Sequence, residues 1–375
     1  MIYLYYTECF MGYDFGPEHP MQPARLMLTN RLIEEYGMLV DWHAERVEPY
    51  YASDRELLSV HTTGYLEALQ AEEPNPAFGL SDQDNPVFPG MYDAARMIAG
   101  ASIEAAKRVV QEDCSAFNFA GGLHHAMPDR ASGFCLINDA ALAILALRQR
   151  FSRVLYIDID GHHGDGVQSI FYDDPSVLTL SIHQSGEHIF PGTGFVDELG
   201  SGDGLGYSVN IPLPSRSDDA FYQRAFSEIV APVFRWFCPE AVVAQLGVDA
   251  HYADPLTSLN LTLSGYAGLV RCIRRLTDRY SEGRLLALGG GGYNMEVVPL
   301  AWSMAFQLLK GQEMPLDQPR WWVDFIRRST GREPLNLPDV CARTDRDLAV
   351  RLAGVLDETL CQLKAGLSAV HGDIF

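Results

Sequence analysis

Residues 153–165 read RVLYIDIDGHHGD, and this stretch decides the fold. A β-branched and aromatic run that passes directly into carboxylates and imidazoles fits a strand buried on both faces and ending at a polar edge. Working outward, the same kind of run recurs in IYLYY at the N-terminus, VLTLSIH at 177–183, AVVAQLG at 241–247 and LLALGG at 285–290. Helical patterns lie between them, from Ala140 to Arg150 and from Phe221 to Phe237. Strand and helix in alternation imply right-handed crossovers and a three-layer α/β fold, a central mostly parallel sheet flanked by helices. A Pro-containing stretch near 312–340 reads as a surface connection, not a domain boundary. Residues 1–375 are therefore expected to form a single domain, with 312–375 as a helical C-terminal extension.

In open parallel sheets, function collects beyond the C-terminal ends of the strands. Four runs here end in IDIDGHH, SIHQ, QLGVDA and LGGGGY, which suggests one polar site at one sheet edge. Asp158 and Asp160 would share a face of their strand. Two such acids leaving an apolar strand repel each other and lose hydration unless a cation sits between them. A metal resolves this, and His162 supplies the nitrogen ligand that zinc favours. Helix capping alone would account for one acid, not for two acids and two histidines. Asp249, at the end of AVVAQLGVD, can complete an Asp-His-Asp set that leaves a fourth position open, as catalytic zinc sites do. His124 and His125 suit proton transfer beside such a metal, with Asp158 and Asp165 available to fix their tautomers. Tyr293, after Leu288 and four glycines, can hydrogen-bond an oxyanion.

Composition narrows the partners. A net charge of −21 argues against nucleic acid and favours cationic ligands such as lysine-rich segments or polyamines. Seven scattered cysteines without a CxxC pair read as reduced thiols of a cytoplasmic protein. No apolar run approaches the ~20 residues needed to span a bilayer, and no secretion signal is expected.

Taken in order, DNPVFPGMYDAA, AGGLHHAMPDRASGFCLIND, LYIDIDGHHGDGVQSIFY, FPGTG, YSVNIPLP, QLGVDAHYADPLTSLNLT and LGGGGYN resemble the histone deacetylase superfamily over about residues 1–310. Within it, the likeness is to the class I-like bacterial acetoin-utilization proteins. The resemblance implies the arginase/deacetylase-like fold and removal of acetyl groups from lysine. It implies a catalytic zinc, with iron(II) as the alternative, on Asp160, His162 and Asp249. His125 with Asp165 would be the general base, His124 with Asp158 its electrostatic companion, and Tyr293 the carbonyl-polarising group. Gly133, Phe134 and Phe190 would line a substrate tunnel, with Leu256 near its mouth and Arg25 near an inner cavity. Structural potassium is implied at Asp158, Asp160, His162, Ser181 and Ile182, and again at Phe171, Val177 and Tyr207. Class I enzymes carry a rim aspartate in the segment matching DNPVFPG, and Pro89 is expected at that position, weakening the grip on a peptide.

Three rival readings remain testable. An acetylpolyamine amidohydrolase or other short-acyl deacylase keeps the chemistry and changes the substrate to a small acetylated amine. An arginase-type hydrolase would need two manganese ions, yet the region after Asp249 reads AHYADP, without a second close acid pair. A non-catalytic acyl- or metabolite-binding module would not need Tyr293, both histidines and an open metal position.

Overall fold

The structure is a computed structural model that describes residues 1–41, 43–81, 83–339 and 346–375. Its centre is one sheet of eight parallel strands: β1 (Ile2–Tyr5), β2 (Ala44–Val47), β3 (Ser115–Asn118), β4 (Val154–Asp158), β5 (Val177–Gln184), β6 (Ser208–Leu213), β7 (Ala241–Gln245) and β8 (Leu285–Leu288). They lie in the order β2-β1-β3-β8-β7-β4-β5-β6, every pair parallel. Seven strands are buried at every residue because helices cover both faces, which is why they read as apolar runs. The edge strand β2 differs. Its Glu45 and Arg46 are exposed, charges that discourage pairing with another chain.

Register fixes the functional edge. Asn118 pairs with Leu288, Leu288 with Gln245, Gln245 with Asp158, Asp158 with Ser181 and Ser181 with Asn210. Four strands, β3, β8, β7 and β4, therefore end in one row while β5 and β6 run three residues past it, and the loops beyond that row carry the chemistry.

Two helical expectations change in detail. The stretch 221–237 is helical, but Phe226–Val230 winds as a π turn in which the Ala231 N–H donates to the Phe226 carbonyl. Pro232 explains the change, since it has no N–H for the Glu228 carbonyl and its ring crowds that turn. The expected surface connection at 312–340 instead contains a helix, Arg320–Thr330, which buries Trp322 and Ile326. The C-terminal helix Arg346–His371 buries Leu356, Leu360, Leu363 and Leu367, a 4-3-4 stripe on one face. Residues 340–345 of the expected extension lie outside the described residues. Among the described residues, no helix is long and apolar enough to cross a membrane.

One buried imidazole makes the fold pH-sensitive. His61 Nε2 accepts from the Asn138 N–H at 3.0 Å, so its Nδ1 carries the hydrogen given to the Met127 carbonyl at 3.1 Å. Burial lowers its pKa from 6.5 to about 4, against smaller opposing effects of the backbone carbonyls. The folded state thus binds this proton less readily than the unfolded chain. The stability is fully present above pH 6.5 and is lost as pH falls from there towards 4. Between pH 7 and 5 this one group should cost about 2 kcal/mol of unfolding free energy. Urea titrations across that range should show a shallower pH slope for His61→Gln; equal slopes would remove His61 as the cause.

Candidate active site

The row of strand ends delivers the acids and imidazoles within a few residues of the sheet. Asp158 closes β4, Asp160 and His162 sit on the turn that follows, and Asp165 opens the short Asp165–Ile170 helix. Asp249 lies four residues past β7, and Tyr293 five past β8. The loop after β3 brings His124 and His125. Asp139, buried at the start of the next helix, pins that loop by accepting from the Gly122 N–H at 3.0 Å and the Leu123 N–H at 2.8 Å.

Asp160, His162 and Asp249 are buried together, with one potential ligand atom from each within 4.8 Å of the others. Among the described residues, this is the one group of three such side chains close enough to share an ion. His162 Nδ1 lies 2.7 Å from Asp249 Oδ2 and 3.5 Å from Asp160 Oδ1. Asp160 also accepts from Gln245 Nε2 at 2.7 Å and from the Gly291 N–H at 2.8 Å. Gly291 must be glycine, since a Cβ there would stand 2.5 Å from Asp249 Oδ2 and 2.8 Å from Asp160 Oδ2. Burial, then the Asp160 charge, pushes the Asp249 carboxyl well above the usual carboxylate range. Two dry carboxylates and an imidazole facing one point are an arrangement that a divalent cation relieves, so the donor set fits a metal.

Beside this cluster stand two imidazole–carboxylate pairs. His124 Nδ1 is 2.7 Å from Asp158 Oδ2, and His125 Nδ1 is 2.7 Å from Asp165 Oδ1. The two Nε2 atoms meet at 3.0 Å. For His124, burial acts downward but is outweighed by the Asp158 and Asp160 charges and the Asp158 hydrogen bond, which lift it to about 9. For His125, burial and then the neighbouring His124 charge lower it to about 4, despite Asp165. The pair thus holds one charge, on His124, and leaves His125 as the neutral member. His163, adjacent in sequence, faces elsewhere: its Nδ1 meets Thr193 Oγ1 at 2.8 Å and its Nε2 meets Gln168 Oε1 at 3.1 Å.

A cavity of about 210 Å³ reaches this group, with His125, His162 and Tyr293 among its lining. Gly133, Phe134, Ile189, Phe190 and Leu256 form its walls. The Phe134 ring stands 5.7 Å from that of Tyr293, and the Phe190 ring 4.9 Å from that of His125. Gly133 is required where these meet, since a Cβ would come within 2.6 Å of the His125 ring and 2.8 Å of Phe190. Phe134 holds φ at +68°, a strained conformation for an aromatic residue. The Tyr13 hydroxyl stabilises it, donating to the Phe134 carbonyl at 2.8 Å and accepting from the Leu136 N–H at 3.0 Å. Burial, followed by the Asp249 and Asp160 charges, raises the Tyr293 phenol well above its ordinary value, so it stays a donor.

Other expected site residues lie around this centre. Buried Arg25 lies outside the cavity lining and ties down the glycine turn before Tyr293, donating to the carbonyls of Gly290 at 2.8 Å and Gly292 at 3.1 Å. Ser181 and Ile182 sit on β5, with Ser181 directly across from Asp158. Phe171 caps the Asp165–Ile170 helix, Val177 begins β5, and the Tyr207 carbonyl accepts from the Thr179 N–H at 2.9 Å.

The expectation for Pro89 is overturned. Pro89 is exposed just ahead of the Met91–Glu112 helix and does not line the cavity, whereas Asp84, earlier in the same segment, does. The segment meets the cavity five residues sooner than expected, where the Asp84 carbonyl lies 3.3 Å from His19 Nε2. Gln245 and Tyr13 were also missed. Gln245 ends a recognised apolar run, a signal that was available. Tyr13 carries none, because its partners are more than 120 residues away.

Comparison with known proteins agrees with this geometry. The histone deacetylase domain model matches residues 19–309. The chain is 42% identical over 329 residues to the acetoin utilization protein AcuC of Bacillus subtilis, covering 85% of this chain and 84% of that protein. It is 42% identical over 324 residues to histone deacetylase B of Dictyostelium discoideum, covering 84% and 75% respectively. It is 37% identical over 333 residues to histone deacetylase clr6 of Schizosaccharomyces pombe, covering 86% and 80%. An all-parallel sheet with this site at its edge and a family match across most of its length make the chain a member of the histone deacetylase superfamily, of the bacterial acetoin-utilization type.

Proposed function

We propose that the protein is a zinc-dependent deacetylase, with iron(II) as an alternative metal, that removes acetyl groups from the ε-amino group of lysine in proteins or peptides. The observation that carries this reading is the Asp160–His162–Asp249 cluster, which shares one narrow cavity with His125 and Tyr293. Bound there, the cation would supply Lewis acidity towards the acyl carbonyl. Tyr293 donates a hydrogen bond to the same carbonyl oxygen as negative charge develops on it. Neutral His125, oriented by Asp165, takes a proton from the attacking water at Nε2 and returns it to the departing amine. His124, charged and paired with Asp158, favours the anionic transition state nearby.

The walls support a lysine stem. Four methylenes between Phe134 and Phe190 gain roughly 3 kcal/mol from burial, before the cost of ordering them. Asp84 at the cavity edge offers a carboxylate to the backbone N–H groups flanking that lysine, which the expected proline would not have done. The net charge of −21 assists both lysine-rich peptides and polyamines. We further propose that residues 1–375 act as one domain and that potassium occupies the two expected positions. The first is the turn around Asp158, Asp160 and His162 with Ser181 and Ile182; the second is the one near Phe171, Val177 and Tyr207. The free cysteines fit a reducing, cytoplasmic setting.

The test is a panel of acetyl-lysine peptides, free acetyl-lysine and acetylputrescine on zinc- and iron(II)-loaded protein. Peptides should exceed acetylputrescine in kcat/KM by roughly tenfold or more, and Asp84→Ala should erase that margin through KM. A preference for acetylputrescine would move the assignment to polyamines. Absence of acetate from every substrate would end the lysine assignment.

A further inference from the structure

A second groove lies on the flank of the molecule, apart from the cavity. It runs between the helical stretch 219–237 and the Leu263–Tyr280 helix, reaches the end of the Val297–Leu309 helix, and holds about 820 Å³. Its apolar lining includes Leu269, Leu276 and Leu308. Gly268 keeps the middle clear, since a Cβ there would meet no atom within 4 Å. The π turn contributes Phe226 and Ser227 to the opposite wall.

The charge along this groove departs from that of the chain. Against a net −21, residues 271–279 carry Arg271, Arg274, Arg275 and Arg279 with Asp278 as their one acid. Spacings of three and four place these arginines along one helix face, and all four line the groove. Arg271 holds Glu313 through two donors, and Arg274 holds Asp278 and the Leu309 carbonyl. Arg275 reaches the Cys272 sulfur at 3.0 Å, and Arg279 lies 5.3 Å from the Tyr280 ring centre. Neither of these two is ion-paired to a carboxylate among the described residues. Glu313 shows what the row selects, a carboxylate laid against it from another segment.

We propose that this groove docks an acidic amphipathic helix of a partner protein. Gly265 to Arg279 spans about 21 Å at 1.5 Å per residue, room for four turns of a second helix. The arginines occupy about 12 Å of that length, and the two without a carboxylate partner among the described residues, Arg275 and Arg279, stand one turn apart, so acids recurring each turn would meet both. The groove opens to solvent on one side, which would leave a lipid chain partly in water, whereas an amphipathic helix brings its own polar face. The Leu263–Tyr280 helix leads away from the site edge, so docking leaves the cavity mouth free.

A displayed library of ~16-residue peptides, selected on the full chain, tests this. Binders should carry Asp or Glu every three or four residues beside a stripe of Leu, Ile or Phe. Arg275→Glu with Arg279→Glu should weaken them at least about tenfold, and Gly268→Trp should do the same by filling the groove. Turnover on an acetylated peptide and the thermal midpoint should be unchanged in both variants. The proposal fails if no binder emerges or if binders keep their affinity for both variants. It also fails if the arginines instead serve only to bind phosphatidylglycerol vesicles in a sedimentation assay.

Discussion

Asp249→Asn should remove both the bound divalent ion and the turnover while leaving the fold intact. The asparagine keeps the shape and the acceptor for the Gly161 N–H, which lies 2.5 Å from Asp249 Oδ1. It removes one of the two ligating charges. Substitutions one shell further out typically cost 10–100-fold in metal affinity or activity, so loss of a ligand should exceed roughly 100-fold. Without metal the substitution should cost little stability, since relief of the buried Asp249 carboxylate offsets the loss of its 2.7 Å pairing with His162, whose imidazole pKa it holds up. Elemental analysis, acetate release and a urea titration together check this. Near-stoichiometric metal with unimpaired turnover in the variant would sink the ligand assignment.

Tyr293→Phe should lower kcat by roughly 10²–10³-fold, about 2.7–4 kcal/mol of transition-state stabilisation. The change removes a single hydroxyl at the cavity wall. The phenol stays protonated, because burial opposes its ionisation. KM and metal content should change little, since the hydroxyl is assigned to an oxygen that becomes charged only during reaction. Steady-state kinetics on one acetyl-lysine peptide, with the metal measured in the same sample, separates these quantities. An unaltered kcat would withdraw Tyr293 from the mechanism.

The sheet was largely legible because burial on both faces leaves an unmistakable apolar run, as in β1, β4, β5, β7 and β8. β2 escaped because an edge strand carries Glu45 and Arg46 where a central strand would carry valines. The helix at 320–330 escaped because Pro315 and Pro319 just before it read as punctuation, while Trp322 finds its burial only in tertiary packing. At the site, acids and histidines were legible since each follows an apolar run closely. Asp84 was not, because its place at the cavity depends on the path of a loop. Nothing local distinguishes that aspartate from the acids around it.

The shared row of strand ends makes the sheet a ruler for the chemistry. Asp160 is two residues past its strand, His162 and Asp249 four, and Tyr293 five. One peptide unit advances a strand by about 3.3 Å and reverses its faces, far beyond the ~0.5 Å tolerance of a working site. Single-residue insertions should be forbidden in 158–162, 245–249 and 288–293. They can accumulate in the surface turns at the opposite ends of the same strands, where length has no bearing on where the ligands fall.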